Sequence, residues 1–338
     1  MAEGSVTWNE IDAARRRIAG AAVCTPMIRL DPARLRQAGL DKLAESAPEI
    51  HVKDESAQPV GSFKLRGAYN KIAQLSADEL RRGVITYSSG NHAQGVAYAA
   101  RALGAKAVVV MPSNTPQVKR AATLALGAEV VVVGPASTER RQRAEELSAQ
   151  HGYTMVPPYD DPAIVAGQAT CGVEILEQLP EVDLVLSPVS GGGLLSGVAA
   201  GIKLRTHADG VTPPQVWGCE PELAADAAES FRTRSLVEWP AEKTTRTICD
   251  GLRTQSLGRL NFELILRFVD GVVTVREEEI QTAMRILLET TGLVAEPSGA
   301  ITLAAALFHA AELPKANKVV AILSGGNLDP SMGAAGKL

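Results

Sequence analysis

Short apolar runs alternate with amphipathic stretches through the middle of the chain. GVITYS from Gly83, AKAVVVM from Ala105 and AEVVVVG from Ala128 are each followed by a stretch with helical spacing of apolar residues. Because these runs are apolar throughout, they favour parallel strands covered on both faces. LGAKAVVV and LGAEVVVV lie 23 residues apart, which indicates a repeated strand–helix unit. We therefore predict a small parallel β/α domain over residues 84–155.

A second set of strand signals follows this region. VDLVLSP, QVWGCE, GVVTV and KVVAILS are apolar runs, and the first leads through VSGGGL into the helical pattern LLSGVAAGIKL. With residues 1–83 these elements predict a larger domain made of residues 1–83 and 156–338. The predicted fold class is α/β, with two open, mainly parallel, doubly wound domains. Glycines cluster at the predicted strand ends, where such sheets bind ligands.

Composition narrows the class of protein. The chain has 338 residues, 46% of them apolar, and a net charge of −4, so neither nucleic acid nor an anionic membrane is an expected partner. No apolar signal core or membrane-length run occurs. Cys24, Cys171, Cys219 and Cys249 are scattered, as expected for buried thiols in a reducing compartment. We expect a cytoplasmic protein.

Two loops at predicted strand ends are candidate anion sites. Gly191–Gly193 in VSGGGLLSG would leave backbone N–H groups uncovered at a helix N-terminus, which suits phosphate. Ser196 stands where a dinucleotide fingerprint has its third glycine, and no Gly-Lys-Ser/Thr follows. The loop Ser88–Asn91 would offer N–H groups and hydroxyls to a carboxylate. Taken alone, each loop also fits an ordinary turn or helix cap.

The role of Lys64 in GSFKLRGAYN depends on the whole set of motifs. Together with SSGNHAQGVA, DDPAIVAGQAT, VSGGGLLSG, EPELAAD, DGLR, EPSGA and LSGGN, this order spans about residues 20–330. It resembles the fold-type II pyridoxal-phosphate enzymes, in particular the threonine/serine dehydratases and serine racemases. Each motif is weak, but their combination is specific. The resemblance implies a tryptophan synthase β-like fold.

The resemblance also implies roles for particular residues. Lys64 would be catalytic, forming the Schiff base with pyridoxal 5′-phosphate and then removing the substrate α-proton. Phe63 would lie against the cofactor ring, Asn91 would bind its phenolic oxygen, and Ser324 would face its pyridine nitrogen. The residues implied to hold the phosphate are Ser190, Gly191, Gly192, Gly193 and Leu194. The residues implied to bind the substrate carboxylate are Ser88, Ser89, Gly90, Asn91 and His92.

A neutral Ser324 hydroxyl makes a weaker electron sink than an aspartate would, which favours β-elimination. The implied reaction converts L-threonine, L-serine or a related β-hydroxy amino acid to a 2-oxo acid and ammonia. Ser89 leaves serine racemase open, because racemases of this family carry a catalytic serine on the ring face opposite the lysine. A threo-3-hydroxyaspartate ammonia-lyase is a further alternative. Pro158, Tyr159 and Asp160 are candidate pocket residues, and Arg140 is loosely aligned with a racemase arginine near the substrate.

EPELAAD is a candidate metal motif. The resemblance implies that Glu220, the Ala224 carbonyl and Asp226 bind Mg²⁺, Mn²⁺ or Ca²⁺, which prefer oxygen ligands. The alternative is a plain helix start with an exposed Asp226. The chain departs from the family pattern at Ser190, where a glycine is usual, and at Ala169. A homodimer or homotetramer is implied.

Two alternatives come from other functional classes. An NAD-dependent dehydrogenase would use the glycine loop for a dinucleotide and Glu220 for a ribose, but it leaves Lys64 unexplained. A non-catalytic small-molecule binder would not need Lys64, Asn91 and Ser324 together.

Overall fold

The computed structural model describes residues 6–328, apart from 38, 40, 47, 89, 116, 135 and 136. The described residues form two sheets. The strands are β1 (Met27–Arg29), β2 (Glu49–Asp54), β3 (Val84–Tyr87), β4 (Ala107–Pro112), β5 (Glu129–Val133), β6 (Thr154–Met155), β7 (Leu184–Pro188), β8 (Gln215–Pro221), β9 (Gly271–Val275) and β10 (Lys318–Leu323).

Helices connect most of these strands. They are α1 (Trp8–Ile18), α2 (Pro32–Gln37), α3 (Asp41–Ser46), α4 (Lys64–Ile72), α5 (Ala77–Arg82), α6 (Asn91–Ala102), α7 (Gln117–Ala125), α8 (Ser137–His151), α9 (Pro162–Gln178), α10 (Gly193–Asp209), α11 (Asp226–Thr233), α12 (Ala241–Thr244), α13 (Arg259–Phe268), α14 (Glu277–Thr291) and α15 (Pro297–Phe308). Short 3-10 helices occur at Glu55–Ala57, Glu222–Ala224 and Asp250–Leu252.

The larger sheet has six strands in the order β1-β2-β10-β7-β8-β9. All neighbours are parallel except β1, which runs antiparallel to β2. Helices cover both faces: Leu184 and Leu186 of β7 pack in the core that contains α14 and α15, whereas Val185 faces α9 and α10. Burial on both faces explains why these strands read as continuous apolar runs.

The smaller sheet has four parallel strands in the order β5-β4-β3-β6. In β4 every residue is buried, with Val109 facing α6 and Val108 facing α8. The apolar run of β5 predicts a strand covered on both faces. Instead, β5 is an edge strand, and Val132 is 42% exposed. The predicted α/β fold with mainly parallel sheets is confirmed.

Two strands and one thiol depart from the sequence-based picture. β1 and β2 were not predicted, and β2 pairs in parallel with β10 at the centre of the larger sheet. Cys24 is exposed, although Cys171, Cys219 and Cys249 are buried as expected. Among the described residues, every helix is too short or too polar to span a lipid bilayer.

Candidate functional site

Lys64 is held at the carboxyl edge of the larger sheet by main-chain pairing. Ser62 forms a bridge with Gly325, and the Phe63 N–H donates to the Ser324 carbonyl at 3.1 Å. Ser324 directly follows β10, so the segment before α4 is tied to a central strand end. Lys64, the first residue of α4, is thereby placed where open α/β sheets bind ligands.

The Lys64 amine has an unusual environment for a lysine. Its Nζ donates to the Pro158 carbonyl at 2.8 Å and lies 5.1 Å from the centre of the Phe63 ring. Burial lowers the pKa of Lys64 to about 8, although the nearby Glu296 carboxyl acts in the opposite direction. The side chain keeps some exposure to solvent. A partly neutral, accessible amine is what a nucleophile or base requires near neutral pH.

Asn91 is brought next to Lys64 by the packing of α6 against α4. It is the first residue of α6, and one turn later Gly95 lies so close to α4 that a Cβ there would be 3.2 Å from the Lys64 carbonyl. The Asn91 amide donates through Nδ2 to Glu296 Oε1 at 2.6 Å and accepts through Oδ1 from Asn327 Nδ2 at 2.7 Å.

The rest of the predicted substrate loop is only partly brought to this edge. Ser88 and Gly90 are half-buried at the end of β3, whereas Ser89 lies outside the described residues. His92 turns into the core, where it is 3% exposed and its Nε2 lies 3.0 Å from the Val156 carbonyl. Burial and the charge of Lys64 lower the pKa of His92 to about 3. This imidazole is therefore neutral and structural.

The glycine loop after β7 makes a tight turn into α10. Ser190 and Gly192 both adopt positive φ, of 53° and 91°, and the first turn of α10 leaves amide N–H groups without helical partners. Leu194 is buried in that turn. A Cβ at Gly191 or Gly193 would lie 2.6 or 2.9 Å from Tyr159, so only glycine permits this contact. The loop is shaped like an anion cradle.

Side chains outside the loop fix its shape. Asn261 donates to the Gly191 carbonyl at 2.9 Å and accepts from Ser196 Oγ at 2.9 Å. The Ser190 and Thr254 hydroxyls are 3.3 Å apart. Sequence reasoning missed Asn261 and Thr254, because nothing in their local sequence signals a ligand. The Ser324 hydroxyl, 4% exposed, donates to the Ser298 carbonyl at 3.3 Å beside this edge.

The three candidate pocket residues have different environments. The Pro158 carbonyl contacts Lys64, and Tyr159 packs on the glycine loop. Asp160 instead accepts hydrogen bonds from the first N–H groups of α13, at 3.0–3.4 Å, and so acts as its cap. Arg140, in the first turn of α8, has a buried Nε without a hydrogen-bond partner in the described part of the chain.

Two of the candidate metal residues lie close together, Glu220 near the end of β8 and Asp226 at the start of α11. Glu220 and Asp226 are both fully buried, so the alternative of an exposed Asp226 is wrong. Glu220 accepts from the N–H groups of Ala227 and Ala228, whereas both Asp226 oxygens lack partners among the described residues. Burial raises the pKa of Asp226 to about 7, and burial with the Asp226 charge raises that of Glu220.

The candidate ligands are all oxygen atoms, the donors that a hard cation prefers. In the described ranges no cluster of three or more His, Cys, Asp or Glu side chains could hold a metal. Glu220 and Asp226 supply two carboxylates, and the third predicted ligand is the main-chain carbonyl of Ala224. Burying carboxylate oxygens without partners costs free energy, and a bound cation would offset that cost.

The residues present also fit pyridoxal phosphate. An anion cradle, a partly neutral lysine amine, an amide and a neutral hydroxyl all lie on loops and helix starts that follow carboxyl ends of parallel strands. These groups suit the phosphate, the aldehyde, the phenolic oxygen and the ring nitrogen of this cofactor, in that order.

Comparison with known proteins decides the family. Residues 21–325 match the family described as pyridoxal-phosphate dependent enzyme. The chain belongs to this family. This match favours a pyridoxal-phosphate enzyme over an NAD-dependent dehydrogenase, in which the glycine loop would bind a dinucleotide.

Similar proteins have related activities. The L-threo-3-hydroxyaspartate ammonia-lyase of Saccharomyces cerevisiae is 41% identical over 83% of this chain and 83% of its own length. The catabolic L-threonine dehydratase of Escherichia coli is 38% identical over 96% and 94%. The solved structure of maize serine racemase matches with a TM-score of 0.88 and 32% identity, over 98% of this chain and 96% of that one. These homologues are consistent with pyridoxal-phosphate-dependent β-elimination.

Proposed function

We propose that this family member is an ammonia-lyase that dehydrates and deaminates L-threonine or L-serine. The observation that carries the proposal is the partly neutral Lys64 amine at the carboxyl edge of the larger sheet, where the glycine loop and Ser324 also follow strands and where α6 packs Asn91 against α4. In the net reaction the α-proton and the β-hydroxyl leave as water. Addition of water then releases ammonia and the 2-oxo acid. The dehydratase and ammonia-lyase names of the relatives support this reaction.

Each group would have a separate task. Bound pyridoxal phosphate would supply the electron sink that acidifies the α-carbon. Lys64 would carry the cofactor and take the α-proton at Nζ. N–H groups of the loop from Ser190 to Leu194 would hold the phosphate. Phe63 would pack against the ring, and Ser324 would face its nitrogen as a neutral hydroxyl.

Substrate binding and exclusion of water would involve the smaller sheet. The loop of Ser88, Ser89, Gly90, Asn91 and His92 leads from β3 into α6, and we propose that its main chain binds the substrate carboxylate. We also propose that residues 84–155 form a separate small domain that closes over the substrate. Its strands make up their own sheet, which supports this division.

We further propose a Mg²⁺, Mn²⁺ or Ca²⁺ ion at Glu220, Ala224 and Asp226, in a structural or activating role. Two buried carboxylates that have no cationic partner among the described residues support this site. The cytoplasmic location and the homodimeric or homotetrameric state stay predictions.

The test compares wild type with Lys64→Ala and the control Lys71→Ala, which changes a lysine on the same helix. After addition of pyridoxal phosphate, we expect wild type and Lys71→Ala to show the visible band of bound cofactor. Both should release 2-oxo acid and ammonia from L-threonine or L-serine. Lys64→Ala should lose band and activity. A cofactor-saturated wild type without a visible band would refute the proposal.

A second candidate substrate is L-threo-3-hydroxyaspartate. Arg140 favours it, because a half-buried guanidinium without a carboxylate partner among the described residues suits a substrate with a second carboxylate. The yeast relative of that name also supports it. Serine racemase remains the alternative that depends on Ser89.

A further inference from the structure

Glu296 is a buried carboxyl group that the proposed reaction does not use. It is 4% exposed and directly precedes α15. Its main-chain N–H donates to the Gly325 carbonyl at 3.2 Å, which fixes it beside the strand end that carries Ser324. Its Oε1 accepts from Asn91 Nδ2 at 2.6 Å. Burying a carboxyl group this deeply costs free energy unless hydrogen bonds offset it, so its hydrogen-bond partners are informative.

A chain of hydrogen bonds determines which way the Asn91 amide faces. The Val60 carbonyl can only accept, so it takes a hydrogen bond from Asn327 Nδ2, at 2.9 Å. The same Nδ2 donates to Asn91 Oδ1 at 2.7 Å. Reversing either amide would bring two donors or two acceptors together. Asn91 Nδ2 therefore has to face Glu296.

Among the described residues Glu296 is the one acceptor for Asn91 Nδ2, which leaves its second N–H for a ligand. An amide nitrogen carries two hydrogens at roughly 120° to each other, and Glu296 takes one of them. We infer that Glu296 is a positioning residue that fixes the Asn91 amide so that its second N–H points at the cofactor oxygen. The inference rests on the proposed function, because it assumes that pyridoxal phosphate binds beside Lys64 and Asn91.

The protonation of Glu296 adds a pH dependence. Burial raises the pKa of Glu296 to about 8, as does the charge of Asp250, while Lys119, Asn91 and Lys64 lower it. Below this pH the carboxyl is neutral and still accepts from Asn91. Above it, the new negative charge favours the protonated form of Lys64. The geometry thus couples an alkaline titration to the lysine that would carry the cofactor.

Two variants separate positioning from a general structural effect. Glu296→Gln keeps an oxygen acceptor but cannot ionise, whereas Glu296→Ala removes the acceptor. Glu289→Gln, on the exposed side of α14, is the control for the loss of one acidic group. The readouts are the dissociation constant for pyridoxal phosphate, the pH titration of its visible band from pH 6 to 10, and kcat and KM for L-threonine.

We expect Glu296→Ala to weaken cofactor binding at least about tenfold and to alter the band, because Asn91 loses its fixed orientation. Glu296→Gln should bind the cofactor within about threefold of wild type. Its band should titrate at a lower pH than that of wild type, because the negative charge beside Lys64 is gone.

The outcomes distinguish this inference from the proposed function. Suppose that wild type shows the cofactor band, that Glu296→Ala binds the cofactor as tightly as wild type, and that the band of Glu296→Gln titrates at the wild-type pH. This result would overturn the inference but not the proposed function. If Glu296→Ala does not fold, as judged by far-ultraviolet circular dichroism, the titration of Glu296→Gln decides. A wild type without any cofactor band would overturn both.

Discussion

At the scale of single residues, hydrogen-bonding partners separate a structural lysine from a chemical one. Lys53 is fully buried, but its amine contacts Glu174 Oε2, the Thr25 carbonyl and Gln178 Oε1 at 2.7–2.9 Å. Lys64 donates a hydrogen bond only to a main-chain carbonyl among the described residues, and burial lowers its pKa to about 8. No local pattern distinguishes the two residues. Lys64 could be predicted only through its order among the other motifs.

Arg140 provides the prediction at this scale. It lies near Tyr87 at the carboxyl end of β3, and burial lowers its pKa. If it binds a second substrate carboxylate, Arg140→Leu should lower kcat/KM for L-threo-3-hydroxyaspartate about 10- to 100-fold more than for L-threonine. Steady-state kinetics on both substrates measure this, with Arg143→Leu as the control. Equal losses on the two substrates would contradict the role.

At the scale of elements, the sequence predicts the strands that read as apolar runs. The runs that became β3, β4, β7 and β10 are apolar and mostly buried, and all were predicted. β2 reads EIHVKD, yet it lies inside the larger sheet between β1 and β10. Lys53 of this strand is fully buried because Glu174 of α9 pairs with it, and such distant pairing leaves no local signal.

The same pairing fixes α4, which begins at Lys64. Arg66 is fully buried and binds the carboxylates of Glu55 and Glu174 at 2.6–2.8 Å. Arg66→Ala would leave Glu55 as an unpaired buried charge, so we expect a loss of about 3–5 kcal/mol in the free energy of unfolding. Lys71→Ala, which breaks a partly exposed pair on the same helix, should cost no more than about 1 kcal/mol. Urea unfolding measures both.

The pH dependence of that loss has a definite sign. Burial alone would raise the pKa of Glu55, but the charge and hydrogen bonds of Arg66 hold it below its ordinary value. Wild type therefore gains stability from Glu55 above the carboxyl's unfolded pKa and loses it as the pH falls. In Arg66→Ala burial dominates, so stability should fall as the pH rises from 4 to 7. If the loss of unfolding free energy in Arg66→Ala were the same at every pH, ionisation of Glu55 would not be its cause.

At the scale of the whole molecule, the candidate site combines segments from almost the entire chain. Lys64, the glycine loop and Ser324 follow three strands of the larger sheet, and parallel pairing brings the carboxyl ends of those strands to one edge. The pattern of apolar strands therefore predicts that these three segments share an edge, whereas Asn91 follows a strand of the smaller sheet. The sequence does not predict how closely the two sheets approach, because that depends on contacts such as Gly95 against the Lys64 backbone.

The metal proposal predicts how the stability of the whole chain depends on pH. The folded pKa of Asp226 is raised to about 7 by burial, so without a metal its contribution is greatest below the carboxyl's unfolded pKa. That contribution is lost as the pH rises through 7. A divalent cation binds the ionised form, so Mg²⁺ should stabilise the protein more at pH 8 than at pH 6.

Thermal unfolding with Mg²⁺ or with a chelator measures this difference. At a metal concentration about 100 times the dissociation constant, we expect Tm at pH 8 to rise by roughly 3–8 °C. Asp226→Asn should remove the metal effect and make the metal-free Tm less sensitive to pH, because the amide does not ionise. Asp209→Asn changes an exposed carboxyl and should behave as wild type. The same wild-type Tm with Mg²⁺ and with chelator at pH 8 would contradict the metal proposal. Protonation alone would then offset the cost of burying the two carboxylates.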